Sequence, residues 1–351
     1  MTKIALKMMA DTQLTESAPL SRVDHLVDSF GRAHTSLRLS LTDRCNLRCG
    51  YCMEEEASFV PSSALLNFQE LFELASLFVE LGIRRIRLTG GEPLLRRDLP
   101  ELVGKLKSIE GLQELTLTTN GLLLADMAKE LRFAGLDRLT ISLDTLNPLV
   151  FERITRRRGL EKVLAGVDAA CSAGFQGTGI NTVLLRGIND TEAGALIRYA
   201  HGRGIRPRFI ETMPIGAGEY ERDRFVPAED LLGLIRNEFG NIEHVAGDSP
   251  SSPAKLFRVE TGLIGIIASV SEPFCGHCDR LRLTADGKMR SCLFALEETD
   301  LLPLIRGVGI SKARNSLIQA ISGNVWAKRS GHGMHEDGFT KPSRTMHSIG
   351  G

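Results

Sequence analysis

Ser36-Leu-Arg-Leu-Ser-Leu-Thr-Asp-Arg-Cys45-Asn-Leu-Arg-Cys49-Gly-Tyr-Cys52 is the stretch whose reading decides the fold of this chain. Leu37–Leu41 reads as a short strand, and the polar residues after it end the strand and open a loop. That loop delivers three thiols, Cys45, Cys49 and Cys52, directly beyond the strand's carboxyl end. In parallel α/β sheets this is the edge where ligands sit.

Working outward, five more strand-like runs follow at Arg85–Thr89, Leu115–Thr118, Leu139–Leu143, Asn181–Leu185 and Arg208–Glu211. Each is rich in Leu or β-branched residues and is followed by Gly, Asn, Asp or Pro. Amphipathic helical patterns lie between them. In Asn67–Leu81, residues Phe68, Leu71, Phe72, Leu74, Ala75, Phe78 and Val79 share one face, Asn67 and Glu70 are placed to cap the start, and Gly82 to end it. Six β-then-α repeats predict a parallel sheet, either open and doubly wound or partly closed as a barrel. Residues 1–30 read as an N-terminal extension, 31–244 as the β/α domain and 245–351 as a smaller C-terminal region. In that region Ser249–Pro253 reads as a loop, Phe257–Thr261 and Leu263–Val270 as a hairpin, and the stretch after the last cysteines as helix-poor.

The 351 residues carry 43 Lys and Arg against 43 Asp and Glu, for a formal charge of zero. Such a balance argues against a general nucleic-acid or membrane-surface binder but leaves room for a local basic pocket. No apolar run approaches the roughly 18 residues of a membrane span, and the polar stretch from Asp11 to Ser17 breaks any signal-peptide core. A cytoplasmic location is expected.

Six of the 7 cysteines fall in two tight triads, which reads as metal ligation rather than a disulfide scaffold. Three thiolates can hold three irons of a [4Fe–4S] cube and leave the fourth iron open. Leu47 and Tyr51 would keep water from it. Structural zinc is the alternative, although the first triad lacks a nearby fourth ligand. One strand later, Thr89-Gly90-Gly91-Glu92-Pro93 places two glycines at a strand end, where backbone can approach a ligand closely. The second triad is Cys275, Cys278 and Cys292, the last returning after a turn at Gly287. It reads as a second cluster or as a zinc knuckle completed by His277 or His332. Beside it, Arg280 and Arg282 alternate, so on a strand they share a face and repel unless an anion lies between them. Surface salt bridges to Asp279 and Glu297 are the bland alternative. Cys171 reads as a packed small hydrophobe; His201, His244 and His347 receive no role.

The CxxxCxxC and GGEP pair resembles the radical S-adenosylmethionine (SAM) superfamily. Together with the C-terminal CxxC-x13-C it resembles the GTP 3′,8-cyclase family of molybdenum cofactor biosynthesis, from about Phe30 to the end. Leu117-Thr-Thr-Asn-Gly121, Ile141-Ser-Leu-Asp-Thr-Leu146, Arg186-Gly-Ile-Asn-Asp190, Arg208-Phe-Ile-Glu-Thr-Met-Pro214 and the ending Arg344-Thr-Met-His-Ser-Ile-Gly350-Gly351 carry the likeness. The resemblance implies an incomplete (β/α)6 TIM-type barrel with a C-terminal cluster-binding region. It assigns one [4Fe–4S] cluster to Cys45, Cys49 and Cys52 and a second to Cys275, Cys278 and Cys292. SAM contacts fall on Tyr51, Gly91, Ser142 and Met213. GTP contacts fall on Arg38, Arg87, Thr118, Arg280 and Arg282, the last two also as the candidate catalytic pair, and the Gly-Gly tail reaches the active site. The implied reaction converts GTP to 3′,8-cyclo-7,8-dihydro-GTP: a 5′-deoxyadenosyl radical takes the ribose 3′-hydrogen, the carbon radical attacks C8, and a reduction follows. An electron-donor protein, a downstream cyclic pyranopterin synthase and a monomer or homodimer are implied too.

Two positions depart from the family pattern. Gly179 stands where the family has a GTP-contacting Lys, and Glu54 follows Met53 where the family has Pro. The nearest rival reading is a two-cluster radical SAM enzyme that modifies a peptide; a zinc-stabilised binding module is the rival from another class. Arg280, Arg282 and the terminal glycines favour a nucleoside triphosphate.

Overall fold

The computed structural model describes residues 25–215, 222–247 and 249–350. Most of the N-terminal extension, and Gly351 of the Gly-Gly tail, lie outside the described residues. Strands β1 (Ser36–Ser40), β2 (Arg85–Thr89), β3 (Glu114–Thr119), β4 (Arg138–Ser142), β5 (Gly179–Val183) and β6 (Arg206–Ile210) pair in parallel and in chain order. Helices α1 (Phe68–Glu80), α2 (Leu99–Lys107), α3 (Leu124–Phe133), α4 (Pro148–Thr155), α5 (Leu160–Ser172) and α6 (Ala193–His201) connect them, and α7 (Ala228–Phe239) follows β6. The expected cap of α1 forms as a capping box: Asn67 Oδ1 accepts from the Glu70 amide at 2.9 Å and the Glu70 carboxylate accepts from the Asn67 amide at 2.8 Å.

Alternation along the strands divides the two faces. Leu37, Leu39, Ile86, Leu88, Leu115 and Leu117 are buried in one core with Leu71, Leu74 and Phe78 of α1 and Leu102 and Leu106 of α2. Arg38, Arg87, Thr118 and Thr140 occupy alternate positions on the other face and line a cavity.

The C-terminal region extends this sheet at both ends. Strands β7 (Glu243–Val245), β8 (Lys255–Val259) and β9 (Gly262–Ile267) form an antiparallel meander, and β9 adds in parallel beside β6. Strand β10 (Arg280–Leu283) adds in parallel beside β1, followed antiparallel by β11 (Lys288–Arg290) and β12 (Thr299–Asp300). The result is one 12-stranded, parallel-rich α/β sheet in the order β12-β11-β10-β1-β2-β3-β4-β5-β6-β9-β8-β7. Gly287, at φ +79°, sits at the turn between β10 and β11, as expected.

The expectation of few helices after the second triad fails. Helices α8 (Leu302–Val308) and α9 (Ile310–Trp326) fill that stretch, and the short α10 (Met346–Ile349) lies in the tail. Only a narrow stripe of α9 is buried (Ala313, Leu317, Ile321, Val325), and Ser, Asn and Gly interrupt the rest, so its helical period is weak. Cys171 is also corrected: it is exposed rather than packed.

The glycine pair is explained by backbone crowding. A Cβ at Gly90, where φ is +130°, would stand 2.2 Å from the Thr42 carbonyl oxygen, and one at Gly91 would stand 2.3 Å from that of Arg44. The Gly91 and Glu92 amides donate to those same carbonyls at 2.8 Å each. The glycines therefore press the GGEP turn onto the backbone that leads into Cys45. Gly90→Ala must displace that backbone, so it is expected to destabilise the protein by on the order of 1–3 kcal/mol, read as a lower thermal midpoint.

Candidate active site

A cavity of about 570 Å³ touches side chains from all eight strands of the parallel part of the sheet, from Arg280 and Arg282 of β10 round to Ile267 of β9. Arg38, Arg87, Arg208, Arg280 and Arg282 all line it. Register puts Arg38 directly beside both Arg282 and Arg87. Burial, then Arg282, Arg87 and Arg280, hold the Arg38 guanidinium well below its ordinary range. Burial and then Arg138 bring Arg87 down to about 10; burial, with Arg280 and Arg290 adding to it, brings Arg282 to about 9. Guanidinium groups do not lose their proton in proteins, so these directions describe like charges waiting for an anion. Among the described residues no carboxylate pairs with Arg38, Arg280 or Arg282. Asp279, the expected surface partner of the doublet, instead takes Arg85 at 2.5 Å. Arg87 is steadied by the hydroxyls of Thr140 at 2.9 Å and Thr118 at 3.3 Å.

The first triad is wrapped by buried polar groups. Asn120 Nδ2 reaches Cys45 Sγ at 3.7 Å and Asn46 Oδ1 at 2.7 Å. Asn120 is itself fixed by its amide, which donates to Glu92 at 2.7 Å, while the Thr119 hydroxyl donates to the same carboxylate at 2.7 Å. Burial pushes Glu92 up to about 7. Burial first, then neighbouring carboxylates and thiols, raise Cys45 and Cys49, and burial with Cys45 lifts Cys52 to about 12. Thiols this reluctant to ionise need strong positive charge to become ligands, and an iron cluster supplies it. Among the described residues no three His, Cys, Asp or Glu side chains converge on one ion. Thiolates that would each hold a different iron of a cluster have no need to.

At the second triad, burial would raise the Cys278 thiol, but Arg280 and Lys328 reverse that and bring it down to about 7. Arg280 lies over the Phe274 ring at 4.6 Å, with Nη2 3.5 Å from Cys278 Sγ. The tail ties the triads together. His332 and His347 offer backbone N–H groups to Cys275 and Cys52, and Arg282 Nη1 donates to the carbonyls of Ile349, at 3.3 Å, and Gly350. A Cβ at Gly350 would meet Ser40 Oγ at 2.4 Å, so only glycine threads there.

The structure thus brings Arg38, Arg87, Thr118, Arg280, Arg282 and Met213 around one cavity. Tyr51, Gly91 and Ser142 are not among its lining residues. The Tyr51 hydroxyl donates to Asp144 at 2.7 Å, Gly91 rests on the cysteine loop, and Ser142 pairs with the cavity residue Asn181. Arg208 and Lys328 carried no sequence signal of their own as site residues, because a lone cation gains meaning only from what it faces.

Residues 39–200 match the radical SAM superfamily, and residues 205–334 match the Molybdenum Cofactor Synthesis C family. A Rhodopirellula baltica protein named GTP 3′,8-cyclase is 46% identical over 93% of this chain and 92% of its own length. A Mycobacterium protein of the same name is 45% identical over 93% of both. The chain belongs to the GTP 3′,8-cyclase family. A Drosophila melanogaster relative, molybdenum cofactor biosynthesis protein 1, is 42% identical over 90% of this chain but 56% of its own length. Among solved structures, Streptococcus suis SuiB bound to S-adenosylmethionine superposes with a TM-score of 0.58 at 13% identity, covering 77% of this chain and 64% of that one; it supports the fold alone.

Within this cyclase family the Gly179 departure now has a geometric account. A Cβ there would lie 1.8 Å from Arg208 Nη2, so Arg208 already fills the space a longer residue would claim. Its guanidinium bonds Thr140 Oγ1 at 3.2 Å, beside Arg87.

Glu92 gives a pH test. Its folded value near 7 lies above the ordinary 4.5, so its contribution is fully present below about 4.5 and is lost as pH rises through about 7. Thermal midpoints of the wild type are expected to fall across that window relative to Glu92→Gln, by on the order of a few kcal/mol in stability. Parallel curves for the two proteins would remove Glu92 from this role.

Proposed function

We propose that the arginine-lined cavity holds GTP for conversion to 3′,8-cyclo-7,8-dihydro-GTP, the first step of molybdenum cofactor synthesis. The observation that carries this reading is the set of same-sign side chains, Arg38, Arg87, Arg208, Arg280 and Arg282, around one cavity. Several phosphate charges answer that repulsion, and planar forks suit phosphate oxygens. A peptide substrate would not require it.

Cys45, Cys49 and Cys52 would hold one [4Fe–4S] cluster, and Cys275, Cys278 and Cys292 a second. Tyr51, Gly91, Ser142 and Met213 would border SAM. When bound, these groups supply a reactive carbon radical from SAM and an open iron at the second triad for the purine. The chain's own part is to hold both ends of the nucleotide. Arg38, Arg87, Arg208, Arg280 and Arg282 grip the triphosphate, with Thr118 beside Arg87. Fixing both ends matters because one C–H bond and then one ring carbon must be met in turn. Met213 and the tail about Ile349 and Gly350 exclude water from the reacting end.

The reading includes an incomplete (β/α)6 barrel, with residues 31–244 as the radical SAM unit, residues 245–351 as the second-cluster region and residues 1–30 as an extension. Curvature is supported by size: eight flat strands would span about 34 Å, yet all eight border one 570 Å³ space. Among the described residues no helix is long and apolar enough to cross a membrane. A cytoplasmic setting, with an electron-donor protein and a downstream cyclic pyranopterin synthase, completes the proposal.

Anaerobic reconstitution is expected to give about eight irons per chain, and 5′-deoxyadenosine that accumulates only when GTP accompanies SAM and reductant. Accumulation equally fast without GTP would overturn the substrate assignment. Arg208→Ala should weaken GTP binding roughly ten- to a hundredfold, as loss of one charge-assisted bond implies. Gly179→Lys in that background should recover most of it by calorimetric titration.

A further inference from the structure

Behind the second triad stands a cation that the cavity does not use. Lys328, just past α9, is 3% exposed, and its Nζ lies 3.5 Å from Cys278 Sγ and donates to the Arg280 carbonyl at 2.9 Å. It is not among the residues lining the cavity, whereas Arg280, on the same sulfur at 3.5 Å, is. The backbone beside Lys328 is clamped. Arg32 donates from Nη2 to the Arg329 carbonyl at 2.7 Å, and from Nη1 to those of Ser330 at 2.9 Å and Cys275 at 2.7 Å. Asp28 holds the Arg32 Nε at 2.6 Å. Arg32 therefore ties the cysteine loop to the backbone that directly follows the lysine.

Burying an ammonium is costly unless negative charge opposes it. Among the described residues no carboxylate forms a salt bridge with Lys328, and the Cys278 sulfur is the group its Nζ faces. We propose that Lys328 is a positioning residue that balances the Cys278 thiolate from the side away from substrate and raises the reduction potential of the cluster held there. The inference rests on the reading that Cys275, Cys278 and Cys292 hold a [4Fe–4S] cluster. A reduced cube carries one more negative charge than an oxidised one, so a fixed cation near its ligand sulfur favours the reduced form.

The test uses the full chain with Cys45, Cys49 and Cys52 all changed to Ala, which isolates the second cluster. Dithionite serves as the electron donor for the one-electron couple, and the reduced cube is followed by electron paramagnetic resonance. Lys328→Gln should lower the reduced-to-oxidised ratio at fixed potential about tenfold, equal to about 59 mV for one electron, whereas Lys328→Arg should stay within about twofold of the parent. An unchanged ratio in Lys328→Gln, with about four irons present, overturns the proposal alone. Absence of iron from the parent overturns the cluster reading and the proposal with it. Should Lys328→Gln lose its iron while Lys328→Arg keeps it, the charge requirement is upheld. Loss from both overturns it, because shape rather than charge would then be what the position needs.

Discussion

Repulsion among guanidinium groups is the constraint on which the rest of this structure depends. Two unit charges about 7 Å apart, at an effective dielectric near 20, oppose each other by on the order of 2 kcal/mol. Arg38 has such neighbours on both sides, Arg282 on β10 and Arg87 on β2. Among the described residues no carboxylate forms a salt bridge with Arg38 on that face, and the other face holds the strands in place. It does so with Leu37, Leu39, Leu88 and Leu117, all in the main core. The sheet is thus apolar on its outer face and cationic within.

The same logic explains why the C-terminal region is woven into both ends of the sheet rather than appended. Strand β10 brings Arg280 and Arg282 to β1, while β9 closes the other side beside β6. The tail then crosses between the triads, touching Cys275 through His332 and Cys52 through His347. Arg282 takes two tail carbonyls, so one guanidinium both borders the cavity and anchors the segment that covers it. Departure of the tail would leave that charge unopposed, which couples tail docking to the state of the cavity.

Much of this was legible in the sequence, and the reasons differ by element. The six parallel strands announced themselves because each ends in a turn residue and each β/α unit repeats the pattern. The cysteine triads were legible because ligand spacing is local. Helix α9 was not, since its buried stripe of Ala313, Leu317, Ile321 and Val325 is only one residue wide per turn. For Gly90 and Gly91 the structure adds a reason the sequence did not carry: they also press against the backbone of Thr42 and Arg44. Lys328 was invisible for a plainer reason. Its partner sulfur lies 50 residues away, and no local pattern marks a lysine that is to be buried.

Arg208 shows how a missing side chain on one strand lets a cation from the next strand occupy its space. A phosphate responds to the position of positive charge and has no access to which strand supplied it. Removing the side chain at Gly179 opens the volume that the Arg208 guanidinium occupies, on the next strand, with Thr140 to orient it. Glycine at 179 therefore leaves room for the Arg208 guanidinium, which a Cβ there would meet at 1.8 Å. Read residue by residue, position 179 offers no charge; read as a cavity, the Arg208 guanidinium occupies that space, with Thr140 between it and Arg87.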